Sequence, residues 1–480
     1  MVGLVALMCL LTTAFRERIG INQGQGWDGM GYVAWAQEFS HHVLAEGITK
    51  YYSQRILPSA VVGFVVNLIA KPSVQNTIVG FQVLDCFALV GAAFIWTRIS
   101  VEMLWTRVQA WSGYLAIFLS FACARHALYY PTLTDPAAFL LGMIATWGFL
   151  TKRPALLWSS LGLSLFTWPA LAPHALLMLL FPRNSETVNA ADSAHRASAK
   201  RLGLVIAVVA AAAYTLLSLH YYRDPLPAPG FDKFVKWIRA DVLTLSAALT
   251  AALVGWGTYV LISQPLALKW RHSGSRNWRR ILLMLAGVLC LLLLRAWWIH
   301  RVGIRGDGPT ISEFVCQQAL ESLRGPAWGP VHHIVYFGPI IVIAILLWRK
   351  VAQTATNWGV ASVATLAVVV AFAPGSESRQ WIHLFPFLVA VVVASLPTTW
   401  TWKRFVVFAV IAIGWSKVWL HLGYDNPGNW LEFPNQKYFM HLGPWASDKM
   451  YLAHLVAALA TTAVLYFLLA NPSDQGVVRS

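Results

Sequence analysis

The chain has 480 residues, of which 58% are hydrophobic and 12% charged, and its formal net charge is +16. Soluble domains carry roughly 25% charged residues, so the composition excludes an ordinary soluble enzyme and describes a protein living mostly in lipid. No soluble basic domain remains once the apolar runs are marked. The positive charge therefore points to anionic lipid heads or lipid phosphates rather than nucleic acid.

Taken in order, residues 2–15 form a short apolar run without a basic leader or a small-residue cleavage site, so a first span is expected rather than a signal peptide. Residues 16–58 then form the first external loop. Within it, 29–45 reads as an amphipathic interfacial helix: Tyr32, Ala36, Phe39 and Val43 share one face, and Glu38 and His42 another. The run 56–70 is short. If it dips into the bilayer and returns, Arg98/Arg107, Lys152/Arg153, the Arg/Lys-rich stretches 183–201 and 269–280, Arg349/Lys350 and Lys403/Arg404 all face the cytoplasm. The further spans are 76–97, 108–126, 136–151, 155–168, 169–182, 202–219, 242–263, 281–298, 333–348, 356–373, 382–398, 403–420 and 451–470. The pair 155–182 is broken at Trp168-Pro169. The expected fold is an all-α integral membrane protein in one polytopic domain, a bundle of about 13 to 15 transmembrane helices with external interfacial helices and both termini cytoplasmic. External loops at 220–241, 299–330 and 421–450 complete the outer side, where nearly all the Asp, Glu, His and Tyr able to do chemistry collect.

Asp28, set between Gly26 and Gly29, is the expected catalytic residue. It suits a general base for an acceptor hydroxyl, and it equally suits the cap of the following helix. The glycines would let a substrate approach the backbone. Tyr52 and Arg55 follow at the mouth of the next apolar run. The segment 125–136 adds Arg125, Tyr129 and, in Thr134-Asp135-Pro136, a helix start whose carboxylate binds a substrate or merely caps. The turn 374–383 carries Glu377, Arg379 and His383; Arg379 and His383, four apart, should share a helical face. Arginine grips phosphate bidentately, so Arg379 is the leading phosphate ligand, with a loop-closing Glu377–Arg379 pair as the alternative. Residues 231–241 form a second interfacial helix with Phe234, Val235 and Ile238 towards lipid; there Lys233, beside Arg223, joins the candidate substrate-binding set. Thr310 and Glu313 make a capping box that starts a helix to about Leu323.

Five cysteines contain no CxxC pair, which argues against disulfides. Neither HxxxH nor HExxH occurs, so no metal site is assigned, and a divalent cation lacks ligand spacing. The absence of GxxxxGK[ST] and GxSxG removes ATP-driven transport and serine hydrolysis.

Gly26-Trp27-Asp28-Gly29, followed by Tyr52-x-x-Arg55-Ile56-Leu57-Pro58, resembles bacterial multi-spanning glycosyltransferases of the GT-C superfamily. Leu133-Thr134-Asp135-Pro136 is similar to a helix-initiating step in that family, and Ser378-Arg379-x-x-x-His383-x-x-Pro386 to its late external loop. The resemblance covers the order of motifs over roughly residues 1–400. It departs at Trp27, where a Tyr is usual, and in lacking an acidic pair beside Asp28. It implies a catalytic Asp28 and a polyprenyl-phosphate-linked sugar donor. The expected protein is thus a glycosyltransferase of the bacterial inner membrane, working on the external face on a glycan or lipid acceptor. A lipid-linked polysaccharide polymerase or ligase is the alternative. A transporter or flippase ranks third, because Asp85 and Arg295 are the clear mid-span charges and no inverted repeat is evident.

Overall fold

A computed structural model describes residues 1–15, 18–184, 193–226, 235–264, 278–304, 310–420, 443 and 446–470. Nearly everything described is helical; the strands are two-residue segments, Ile48–Thr49 and Gly303–Ile304, paired in parallel. That bias has a simple cause. Apolar runs in lipid have no water to satisfy their peptide groups, and the helix satisfies them internally.

Among the described residues five helices are long and apolar enough to cross a membrane: Val74–Glu102, Ala197–Arg223, Ala240–Ile262, Leu282–Val302 and Asp448–Ala470. Ile340–Leu346 and Trp348–Trp358 make a sixth if their 86° bend is counted within one span. Six shorter apolar helices, including Val2–Ala14, Leu57–Ile69 and Asp135–Leu150, fall between 10 and 17 residues. Several expected spans are thus broken rather than continuous. The 155–182 run divides into Pro154–Ser164 and Ala172–Leu180 across a 3-10 turn at Pro169–Leu171, as Trp168-Pro169 requires.

The long helix Val74–Glu102 is the central post. Val2–Ala14, Leu57–Ile69 and Asp135–Leu150 all pack against it. Around it a single large core joins Trp96, Phe118, Phe139, Phe149, Phe337 and Phe385.

Two expectations about interfacial helices are corrected. Gly29–Gln37 is a separate helix; Glu38 breaks it, and a π-helical turn, Ser40–Ala45, follows. Its apolar face does not lie on lipid: Tyr32, Val33 and Ala36 pack on Val62, Val66, Ile78 and Phe81. In the second case Phe234 and Lys233 lie outside the described residues, while Ile238 and Val235 pack with Cys316, Leu320 and Leu323 rather than facing lipid. The capping box holds as expected, with Thr310 and Glu313 bonding each other's backbone N–H at the start of Ile311–Glu321. All five cysteines are free.

Candidate functional site

The first loop is strapped onto the segment that precedes Asp135–Leu150. Trp27 donates its backbone N–H to the Tyr130 hydroxyl at 2.6 Å, and Thr132 donates to the Gln25 carbonyl at 2.8 Å. Gly26 adopts φ +70°, and a Cβ there would fall 2.2 Å from the Tyr130 ring; a Cβ on Gly29 would fall 2.0 Å from Thr132 Oγ1. The glycines flanking Asp28 therefore admit Tyr130 and Thr132 of this protein. The close approach expected for a substrate is made instead by the chain itself.

This strapping sets Asp28 beside Asp135, and Arg379 enters between them. Arg379 Nη2 lies 3.7 Å from Asp28 Oδ2, and its Nε lies 3.4 Å from Asp135 Oδ1. Three residues from three separate motifs thus form one carboxylate–guanidinium–carboxylate cluster. The carboxylates differ in access: the Asp28 side chain is 48% exposed, and Asp135 only 2%. Burial works against the Arg379 charge, but Asp135, Glu377 and Asp28 outweigh it and raise the guanidinium above its ordinary value. The two alternatives weighed for these groups do not appear. Asp28 precedes Gly29–Gln37 yet makes no side-chain cap bond, and neither Thr134 nor Asp135 caps its helix through a side chain. Among the described residues Arg379 pairs with Asp28 and Asp135 rather than closing its loop on Glu377.

Arg55 stands at the edge of this cluster. Its guanidinium lies over the Trp168 ring at 4.2 Å and the Tyr51 ring at 4.5 Å. Leu57 N–H, bonded to the Phe166 carbonyl at 2.9 Å, ties the start of the Leu57–Ile69 helix to the Trp168 turn. Burial opposes the Arg55 charge, while Tyr51, Tyr32 and Asp135 raise its pKa. Tyr52 packs edge-on against Tyr32 and lies close to Trp35. Its hydroxyl is pushed up to about 12, by burial first and by Asp28 second.

The loop bearing Arg379 is pinned from two sides. His333 Nδ1 pairs with Ser378 Oγ at 2.8 Å. Glu321, fully buried at the end of Ile311–Glu321, accepts from both the backbone N–H and the hydroxyl of Ser376 at 2.7 Å. Gln317 donates to Glu321 at 2.7 Å and reaches Glu377 at 3.4 Å. Burial and the neighbouring Glu377 raise the Glu321 carboxyl to about 7. Sequence reading missed this residue. Its signal was a glutamate four residues after Gln317, a spacing that puts the two on one helical face within hydrogen-bond reach.

Other expected ligands do not join the cluster. Arg125 donates to the Leu420 carbonyl at 2.7 Å and lines a separate cavity of about 460 Å³ with Leu4, Leu7, Leu11 and Phe15. Tyr129 is buried, and its carbonyl accepts from Ile19 N–H. Arg223 is exposed at the end of Ser193–Arg223, and Lys233 lies outside the described residues. His383 does not share a helical face with Arg379. Arg379 occupies a 3-10 turn, Ser378–Trp381, and the His383 ring packs near His174 and Trp168, with centroids 5.6 and 6.3 Å away. Arg295, expected with Asp85 as a mid-span charge, donates to Gln54 of the first loop.

Comparison with known proteins places the chain in no group: no family model matches it, and neither a curated protein nor a solved structure does.

Proposed function

We propose that the protein is a membrane-embedded glycosyltransferase of GT-C type that moves a sugar from a polyprenyl-phosphate donor to a hydroxyl of a lipid or glycan acceptor. The observation that carries the proposal is the meeting of Asp28, Asp135 and Arg379 in one cluster. Asp28 is the accessible carboxylate and takes the general-base role. As the acceptor oxygen bonds to the anomeric carbon, the sugar–phosphate bond breaks, the acceptor proton passes to Asp28, and the electron pair leaves with the phosphate. Negative charge then grows on the phosphate oxygens. Arg379 and Arg55, both held charged beside low-dielectric walls, stabilise it, an effect worth up to several kcal/mol in such sites. Buried Asp135 positions the Arg379 fork, and the Glu321–Ser376 bonds position its loop.

The expected setting is the outer face of a bacterial inner membrane, with 13 to 15 crossings counting the short and broken helices. The test is transfer of labelled sugar from a polyprenyl-phosphate donor by purified protein in liposomes, followed by mass spectrometry of the acceptor. Transfer that requires Asp28 supports the proposal. Movement of a lipid across the bilayer, with no sugar transferred to any acceptor, would replace it with a flippase.

A further inference from the structure

Away from the Asp28 cluster, the first loop brings together the one group of three or more metal-ligating side chains found among the described residues: His41, His42 and Glu46. Consecutive residues on a regular helix point about 100° apart. Here the turn Ser40–Ala45 is π-helical, and the rings of His41 and His42 approach to a centroid distance of 4.8 Å. Both turn towards Glu46: His42 Nδ1 lies 2.7 Å from Oε2, and His41 Nε2 lies 3.2 Å from Oε1. One donor atom from each residue lies within 4.8 Å of the others.

We infer that His41, His42 and Glu46 bind a divalent transition cation of the zinc class. Zinc takes imidazole nitrogen and carboxylate oxygen at about 2.0–2.2 Å, which sets tetrahedral donors about 3.3–3.6 Å apart. The His41–Glu46 separation of 3.2 Å lies just below that range, and the 2.7 Å His42–Glu46 contact is a hydrogen bond that the cation would replace by moving the two donors apart; all three side chains are at least a third exposed, free to adjust by rotamer. Two imidazoles and a carboxylate suit zinc, nickel or copper, not magnesium or calcium, which prefer all-oxygen shells. Three protein ligands leave the fourth position to water, the arrangement of an accessible site rather than a closed structural one.

The backbone under the site is firm. Val43 is buried with Ile48, Ile56 and Val302, Arg301 donates to the Leu44 carbonyl at 3.2 Å, and Ile48–Thr49 pairs with Gly303–Ile304. The same stretch runs directly into Tyr51, Tyr52 and Arg55. A bound cation therefore stiffens the loop that presents Arg55, while standing apart from the cluster assigned to transfer. The inference does not depend on the transferase reading.

The test uses full-length, tag-free protein in detergent, stripped with chelator and titrated with cobalt(II) as the spectroscopic probe and zinc as the competitor. One cobalt site of micromolar affinity, displaced by zinc and weakened at least tenfold in His42→Ala and in Glu46→Gln, is the expected result. These exposed positions leave the fold intact, checked by circular dichroism and gel filtration. No binding up to about 1 mM cobalt, or stoichiometric binding unchanged in His41→Ala, His42→Ala and Glu46→Gln, would overturn the inference.

Discussion

The substitution Asp28→Asn separates chemistry from architecture, because the structure assigns the Asp28 carboxylate little structural work. It makes no cap bond to Gly29–Gln37, so no capping energy is lost. Its one ion pair among the described residues, to Arg379 at 3.7 Å, has a Coulomb energy of roughly 1 kcal/mol in water and about 4 kcal/mol at an effective dielectric of 20. With the side chain 48% exposed, the aqueous end applies, and measured pairs of this kind contribute about 0–1 kcal/mol. A general base, by contrast, contributes about 10²- to 10⁴-fold, or roughly 3 to 5 kcal/mol of barrier. The variant should therefore show a thermal midpoint within a few degrees of wild type and retain donor binding. Sugar transfer should be at least about a hundredfold slower. Transfer is read as labelled product from polyprenyl-phosphate donor in liposomes, and binding by titration of the same donor. Near-normal transfer would refute the assignment of Asp28 as base. A large stability loss would refute the claim that its carboxylate is structurally idle.

Arg379 behaves oppositely: Arg379→Gln leaves buried Asp135 without its cation and should cost about 3–5 kcal/mol, seen as a lowered thermal midpoint. Arg379→Lys keeps the charge but loses the planar fork; donor titration should show weakened affinity in a folded protein, and full activity would reduce Arg379 to a loop residue. Glu321 predicts a pH effect. Its carboxyl is raised from 4.5 to about 7 in the fold, so the folded state holds the proton more tightly. That stability is complete below pH 4.5 and lost as pH rises to about 7, a change on the order of 3 kcal/mol. Thermal midpoints measured across that range should fall with pH in wild type and flatten in Glu321→Gln, whose amide oxygen still accepts from Ser376. Topology is read by labelling: in a background without Cys290, single cysteines at Ser73 and Thr49 should both react from outside if Leu57–Ile69 dips and returns. Reaction at Ser73 only after permeabilisation would place the two positions on opposite sides.

The sequence alone determined what depends on local chemistry. Apolar runs specify helices because lipid leaves peptide groups no other partner. Pro169 breaks its run, Thr310 and Glu313 start theirs, and cysteines without paired spacing stay free. Asp28, Asp135 and Arg379 were each legible as charges at the ends of apolar runs, where a charge is costly unless it has work to do.

What only the tertiary structure decided was partnership. An apolar helix face reads the same whether it meets lipid or another helix, so Tyr32 and Ala36 look interfacial in sequence but pack on Val62 and Phe81. Glycines permit close approach without naming what approaches; at Gly26 and Gly29 it is Tyr130 and Thr132. Arginines at 55, 125, 223 and 379 are equivalent in a string of letters. Electrostatics selects among them only when distance is known, and it is Arg379 that closes on two carboxylates and Arg125 that turns to a carbonyl elsewhere. Glu321 shows the same limit from the other side. Its raised pKa comes from burial and from a glutamate on a distant loop, and neither is a property of its own segment.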